Sequence, residues 1–411
     1  MDVVKLGTLT NRKIGYGIVQ PGACVPNGVP VIKVNNIISG LNNIYDLETT
    51  SIENDVKYKR TKLVGGELII SVVGTIGKTA IVPTSFAGCN LVRATCLIDI
   101  RDELLTSWVK YYIDSPIGQH YIHENLNTTV QPTLNVKSLV DMPIPMYSTE
   151  YMKDAVSILK SLDDKIEVNR RINDNLKQQA QAMFKSWFVD FEPFKKQSFV
   201  ESELGMIPKD WKVGKIGDYC KVRSGFAFKS SWWTDKGKKV IKIKNITDGG
   251  KLNMAECSYV SDINARKAHT FKTRKGDLLI AMTGATIGKF CIVDTDENYY
   301  VNQRVGKFIL GDEPLMKLPF IYCILQKTEV IKEIIGRGQG SAQPNISGND
   351  IESIIIAYPP DEIISHFNKK TFSIFEMIIK NELESRSLAK LRDILLPSLM
   401  SGELKENEVG I

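Results

Sequence analysis

The chain repeats itself once, at a period of about half its length, and no other feature constrains its fold as tightly. Gly66-Glu67-Leu68-Ile69-Ile70-Ser71 returns 210 positions later as Gly276-Asp277-Leu278-Leu279-Ile280-Ala281. Val31-Ile32-Lys33-Val34-Asn35-Asn36-Ile37 returns after 209 as Val240-Ile241-Lys242-Ile243-Lys244-Asn245-Ile246. Thr75-Ile76-Gly77-Lys78 returns after 211 as Thr286-Ile287-Gly288-Lys289, and Gln131-Pro132-Thr133-Leu134-Asn135 after 212 as Gln343-Pro344-Asn345-Ile346-Ser347. Four blocks in one order, drifting by one to three residues, mark a tandem duplication. The period is far longer than a solenoid repeat, so each copy is the size of a domain.

Each copy has two parts. The first, residues 1–148 and again 209–360, reads as short apolar strands between Gly, Pro and Asn turns, with helices interspersed. Leu68–Val73, Leu278–Met282, Thr95–Ile100 and Val305–Leu310 are the expected strands, and 107–115 and 318–335 the expected helices. The fold class is α+β. The second part, 149–188 and again 361–404, turns to helical spacing, and 149–188 contains no Gly or Pro. One seam runs Ile166, Asn169, Asn173, Leu176, Ala180, Met183, Trp187, in steps of three and four. Its counterpart is Ile378, Asn381, Ser385, Leu388, Arg392, Leu395, Leu399, with Pro397 expected to end or kink that helix. A helix near forty residues spans roughly 55–60 Å and cannot bury such a seam on a small domain alone. The two helices are therefore expected to pair, with Asn169 and Asn381 fixing register. Residues 189–208 read as a connector and 405–411 as a tail.

Composition narrows the function. The 411 residues are 43% hydrophobic and 24% charged, as in an ordinary globular protein. No run of eighteen apolar residues suggests a membrane span, and the N-terminus does not resemble a signal peptide, so a cytoplasmic location is the default expectation. Seven scattered cysteines form no CxxC pair, and His120 and His123 lack further ligands, so no metal site is expected. The net charge of +6 permits nucleic-acid binding without requiring it.

Catalytic signatures are missing. Gly74-Thr75-Ile76-Gly77-Lys78-Thr79 ends like a phosphate-binding loop, but Val72 stands where that loop needs its first glycine, and the second copy ends Gly288-Lys289-Phe290. The turn can instead offer Thr75, Lys78, Thr286 and Lys289 to DNA phosphates. Polar loops at matched places add Thr128, Thr129 and Gln131, and Ser341, Gln343 and Asn345, whose amides can pair with adenine edges. Upstream, Arg12-Lys13-Ile14-Gly15-Tyr16-Gly17 aligns with Val222-Arg223-Ser224-Gly225-Phe226-Ala227. Arg12, Lys13, Tyr16, Arg223, Phe226 and Lys229 complete the DNA-contact candidates. Beyond Phe226 the second copy continues Phe228-Lys229-Ser230-Ser231-Trp232-Trp233, interleaving aromatics with lysine as nucleic-acid faces do.

Three further stretches carry a resemblance to a known family. They are Met183-Phe184-Lys185-Ser186-Trp187-Phe188-Val189-Asp190-Phe191-Glu192-Pro193, Ile207-Pro208-Lys209-Asp210-Trp211-Lys212 with Ile216-Gly217-Asp218, and Leu391-Arg392-Asp393-Ile394-Leu395-Leu396-Pro397-Ser398-Leu399-Met400-Ser401-Gly402-Glu403-Leu404. With the repeated turn and Gln-Pro loop, they make the chain resemble, over essentially its whole length, the specificity subunit of a type I restriction–modification system. The resemblance implies two target recognition domains, each reading half of a split DNA target. It implies long helices packed as an antiparallel coiled coil that spaces the domains. Ile166, Asn169, Leu176, Met183, Trp187, Ile378, Asn381, Leu388, Leu395 and Leu399 are the candidates for helix pairing and subunit docking. It also implies two adenine-methylating modification subunits and, in systems that cleave, two restriction subunits. S-adenosylmethionine, ATP and Mg belong to those partners, and this chain is expected to bind no cofactor and catalyse nothing. The rival reading is a duplicated protein-binding scaffold without DNA specificity.

Overall fold

The computed structural model describes residues 2–127, 132–247, 249–338 and 344–404. The chain divides into two compact units, Met1–Asp164 with Leu388–Ile411, and Lys165–Ser387.

In the first unit, the apolar run Leu68–Ser71 becomes a strand buried on both faces. It is central in an antiparallel sheet ordered Gly15–Tyr16, Thr95–Ile98, Leu68–Ser71, Thr79–Ile81. A smaller sheet joins Glu48–Thr50, Val29–Ile32 and Asn90–Leu91, the last pair parallel. Asp2–Lys5 pairs with Pro143–Met146. Helices Glu103–Asp114 and Pro116–Glu124 cover the larger sheet, with Trp108 fully buried and its indole donating to the Pro145 carbonyl at 2.8 Å. Met152, Ala155, Val156 and Leu159 from the start of the first long helix join this core, as do Leu396, Leu399 and Met400.

The second unit repeats the plan. Lys221–Ser224, Val305–Ile309, Leu278–Ala281 and Phe290–Ile292 form the larger sheet. The smaller one gains a strand, running Trp233–Thr234, Ser258–Val260, Lys238–Ile241, Tyr300–Val301, again with one parallel pair. Lys212–Lys215 pairs with Ile355–Tyr358, as Asp2–Lys5 does with Pro143–Met146. The expected single helix over 318–335 is two, Pro314–Leu325 and Thr328–Arg337. The connector is folded: Phe199–Ser202 and Gly205–Pro208 make a hairpin, and its Phe194 and Ile207 are buried in the unit's core with Trp211 just beyond it.

The first long helix spans Thr149–Phe188, and the second Asp361–Ser401. Pro397 does not end the second helix: the helix runs through it and stops before Gly402, which takes φ +76°. An interior proline costs about 3 kcal/mol, and burial of Leu396, Leu399 and Met400 around it offsets that cost.

Within the second unit, the two helical segments run in opposite directions. Asn169 donates to Glu384 at 2.8 Å and Ser385 at 3.3 Å, while Asn173 donates to the Ile378 carbonyl at 3.1 Å and accepts from Asn381 at 2.8 Å. Asn381 therefore partners Asn173, not its repeat equivalent Asn169. The heptad seam also drifts. Met183 and Trp187 are half-buried, whereas Phe184 and Phe188 are buried and pack on Phe320 and Phe367. Trp187 still packs on the second long helix, stacked on His366 at 5.5 Å and edge-on to Phe367 at 6.0 Å, so a stripe predicted at 3.5 rotates toward Phe184 and Phe188 without leaving the contact face, as a 3.6-residue turn requires. Leu176 and Ile166 are half-buried and Ile378 is buried. In the first unit Leu399 is buried, and Leu388 and Leu395 are half-buried.

Candidate nucleic-acid interface

In both units the buried central strand feeds directly into a glycine turn, and the chain returning from the Gln-Pro loop lies beside it. In the first unit, Val73 bridges Thr133 and the Leu134 amide donates to the Val72 carbonyl at 3.0 Å. In the second, Thr283 bridges Asn345, the Ile346 amide donates to the Met282 carbonyl at 2.9 Å and the Gly284 amide to the Pro344 carbonyl at 2.9 Å. Two motifs more than fifty positions apart in sequence are thus neighbours, twice over.

The first turn is stapled by Ser71, whose hydroxyl donates to the Thr75 carbonyl at 2.6 Å and accepts from the Lys78 amide at 2.9 Å. Gly77 adopts φ +82°, and a Cβ there would meet the Gln119 amide at 2.8 Å. Thr75 and Lys78 are consequently held outward and exposed. In the second unit Ala281 replaces Ser71; Thr286 donates to the Thr283 carbonyl at 2.9 Å, and Thr286 and Lys289 are half-buried. Asn345 is exposed. Thr128, Thr129, Gln131, Ser341 and Gln343 lie outside the described residues.

Tyr16 joins the first cluster: its hydroxyl donates to the Leu134 carbonyl at 3.4 Å and accepts from the Val136 amide at 3.3 Å. Burial raises its pKa above the ordinary phenol value, so it remains a neutral donor. Arg12 does not join. It lies at the other end of the sheet, donating to Asp99 at 2.6 Å, Glu67 at 2.8 Å and the Lys62 carbonyl at 2.9 Å, so its guanidinium is committed to the domain's interior. Lys13 beside it is exposed.

The upstream turn aligns differently from its sequence pattern. A Cβ on Gly17 would sit 2.2 Å from the Leu91 carbonyl oxygen, and one on Gly225 2.3 Å from that of Val301. Gly17 therefore matches Gly225, and Ile18, bridging Val92, matches Phe226, bridging Asn302. Tyr16 and Phe226 are not equivalents. Phe226 belongs to a separate cluster with Phe228, Trp232, Trp233 and Phe271. Exposed Arg223 lines a different cleft with Lys272, Arg274 and Lys307. There Lys307 pairs with buried Asp277 at 2.5 Å. Burial pushes that carboxyl above its ordinary value, against the pull of Lys307.

Sequence reasoning missed Lys242, Lys267 and Lys272, which sit over aromatic rings of this region. Charge counted by segment, not over the whole chain, would have found them. No cluster of metal-ligating side chains occurs among the described residues, and no helix there is long and apolar enough to cross a membrane.

Two copies of one α+β domain, each setting Thr133-Leu134 or Pro344-Asn345-Ile346 beside a glycine turn, define a duplicated protein. The chain belongs to the type I restriction modification DNA specificity domain family, whose model matches residues 2–178 and 208–393, one match per copy. The type I restriction enzyme MjaIX specificity subunit of Methanocaldococcus jannaschii is 27% identical over 315 residues, covering 75% of this chain and 71% of that protein. The HindI specificity subunit of Haemophilus influenzae is 24% identical over 333 residues, covering 66% and 71%. The crystal structure of a type I restriction–modification S subunit from M. genitalium covers 97% of this chain and 95% of its own, with a TM-score of 0.52 at 15% identity, a likeness of fold.

Proposed function

We propose that this chain is the non-catalytic DNA-recognition subunit of a type I restriction–modification complex, acting in the cytoplasm. Each domain reads one half of a bipartite, asymmetric target. The observation that carries this reading is the matched pairing of the glycine turn with Thr133-Leu134 in one copy and with Pro344-Asn345-Ile346 in the other. Similar frames with different side chains suit two different half-sites. The two long helices pair as an antiparallel coiled coil, set the unspecific gap and dock two adenine-methylating modification subunits. Restriction subunits join the same complex where the system cleaves. S-adenosylmethionine, ATP and Mg serve those partners, whose chemistry requires the target base to leave the duplex.

The test is single-molecule sequencing of adenine methylation in cells co-expressing this chain and its modification subunit. Two short half-sites around a fixed gap are the expected result. If no motif appears while that modification subunit is active with another specificity subunit, the reading fails and a protein-binding scaffold replaces it.

A further inference from the structure

The net charge of +6 is unevenly placed. Residues 221–275 hold fourteen Lys and Arg against four Asp and Glu, a net of +10, so the rest of the chain is net −4. The matching stretch of the first copy, 11–65, holds seven against four, a net of +3.

Ion pairing keeps the two stretches unequal. In the first, Arg12, Lys33 and Lys62 meet carboxylates, leaving four cations. In the second, Lys221, Lys238, Lys239, Lys244, Lys251 and Arg274 do so. Eight others, among them Lys229, Lys267 and Lys272, have no carboxylate partner among the described residues. Several of these eight are held by rings. Lys267 lies 4.7 Å and Lys229 5.8 Å from the Trp232 centroid, and Phe226 stacks on Trp232 at 6.1 Å. Lys242 lies 3.5 Å from Trp233, and Lys272 5.8 Å from Tyr300. A ring orders the lysine stem and leaves the ammonium unneutralised, which lowers the entropy lost when it meets an anion. No such ring contact is found among residues 11–65.

Resting on the DNA-recognition reading above, we propose that the second domain is the electrostatic anchor of the complex. Lys229, Lys242, Lys267 and Lys272, set around the cluster of Phe226, Trp232, Trp233 and Tyr300, grip the phosphate backbone of duplex DNA and supply most of the salt-dependent affinity, while the first domain contributes chiefly sequence discrimination. Phosphate contacts release counterions, so log K falls with log salt by about 0.9 per phosphate neutralised.

The full chain is assembled with its modification subunits and titrated with two duplexes, one carrying its methylated motif and one lacking it, across a salt series. K229Q/K267Q/K272Q is compared with K57Q/K59Q/R60Q, which removes three charges from the corresponding region of the first domain. The second-domain variant is expected to flatten the salt slope by about two to three on both duplexes, and the first-domain variant by less than about one. K229R/K267R/K272R should restore the slope, which a packing role for these lysines does not predict. Thermal unfolding establishes that the variants are folded; should the triple variant not be, Lys272→Gln alone should flatten the slope by about one. Equal losses from the two domains, or a larger loss from the first, overturn the anchor and leave DNA recognition standing. A parent complex that binds neither duplex in a salt-dependent way overturns DNA recognition, and the anchor with it.

Discussion

Single residues divide into those that hold the domains together and those free to touch a ligand. Gly17 and Gly225 press against a neighbouring carbonyl oxygen so closely that no side chain fits. Gly225→Ala is expected to cost about 2–3 kcal/mol, as overpacking does, read from urea denaturation with an unchanged m-value. Arg12 is likewise structural, since Glu67 and Asp99 are almost wholly buried beneath it. Arg12→Ala should destabilise the chain by about 2–4 kcal/mol, because it strands two buried carboxylates. Lys78→Gln should leave the unfolding midpoint unchanged and flatten the salt dependence of DNA binding by about 0.9. A stable Arg12→Ala variant with lost DNA affinity would reverse these assignments.

The long helices show how polar groups act at the scale of an element. Asn173 and Asn381 exchange a hydrogen bond inside the second unit's helix pair, where each is almost fully buried. Asn381→Leu is expected to cost about 1–3 kcal/mol, because the Asn173 amide oxygen loses its donor in a dry environment. Replacing both residues by Leu should recover most of that loss while relaxing register, since apolar side chains pack at several offsets. A double-mutant cycle in chemical denaturation measures the coupling. Additive losses would show that the bond does not specify the pairing.

For the whole molecule, the prediction concerns the DNA target. Removing one helical turn between Asn169 and Ala180 is expected to change the gap between half-sites and leave both half-sites as they were. Exchanging residues 1–148 for another recognition domain should change one half-site alone. Methylation sequencing reads both outcomes, and an altered half-site after the helix deletion would contradict a spacer role.

Much of this architecture was legible in the residues themselves. A duplication is visible because both copies keep the apolar run, the glycines and the Gln-Pro step that their shared frame requires. The bounds of the first long helix were legible because a forty-residue stretch without Gly or Pro, patterned at three and four, has few other ways to fold. Tertiary structure decided what depends on exact phase or on distant partners. It buried Phe184 and Phe188 more deeply than Met183 and Trp187, which pack against the same core, because a 3.6-residue turn slips against a 3.5-residue reading. It carried the helix through Pro397, because burial of the surrounding apolar residues outweighs one missing hydrogen bond. It gave Arg12 to Glu67 and Asp99, partners 55 and 87 positions away that no local pattern announces. Local spacing reports which face of an element is apolar; only the packed fold selects what meets that face.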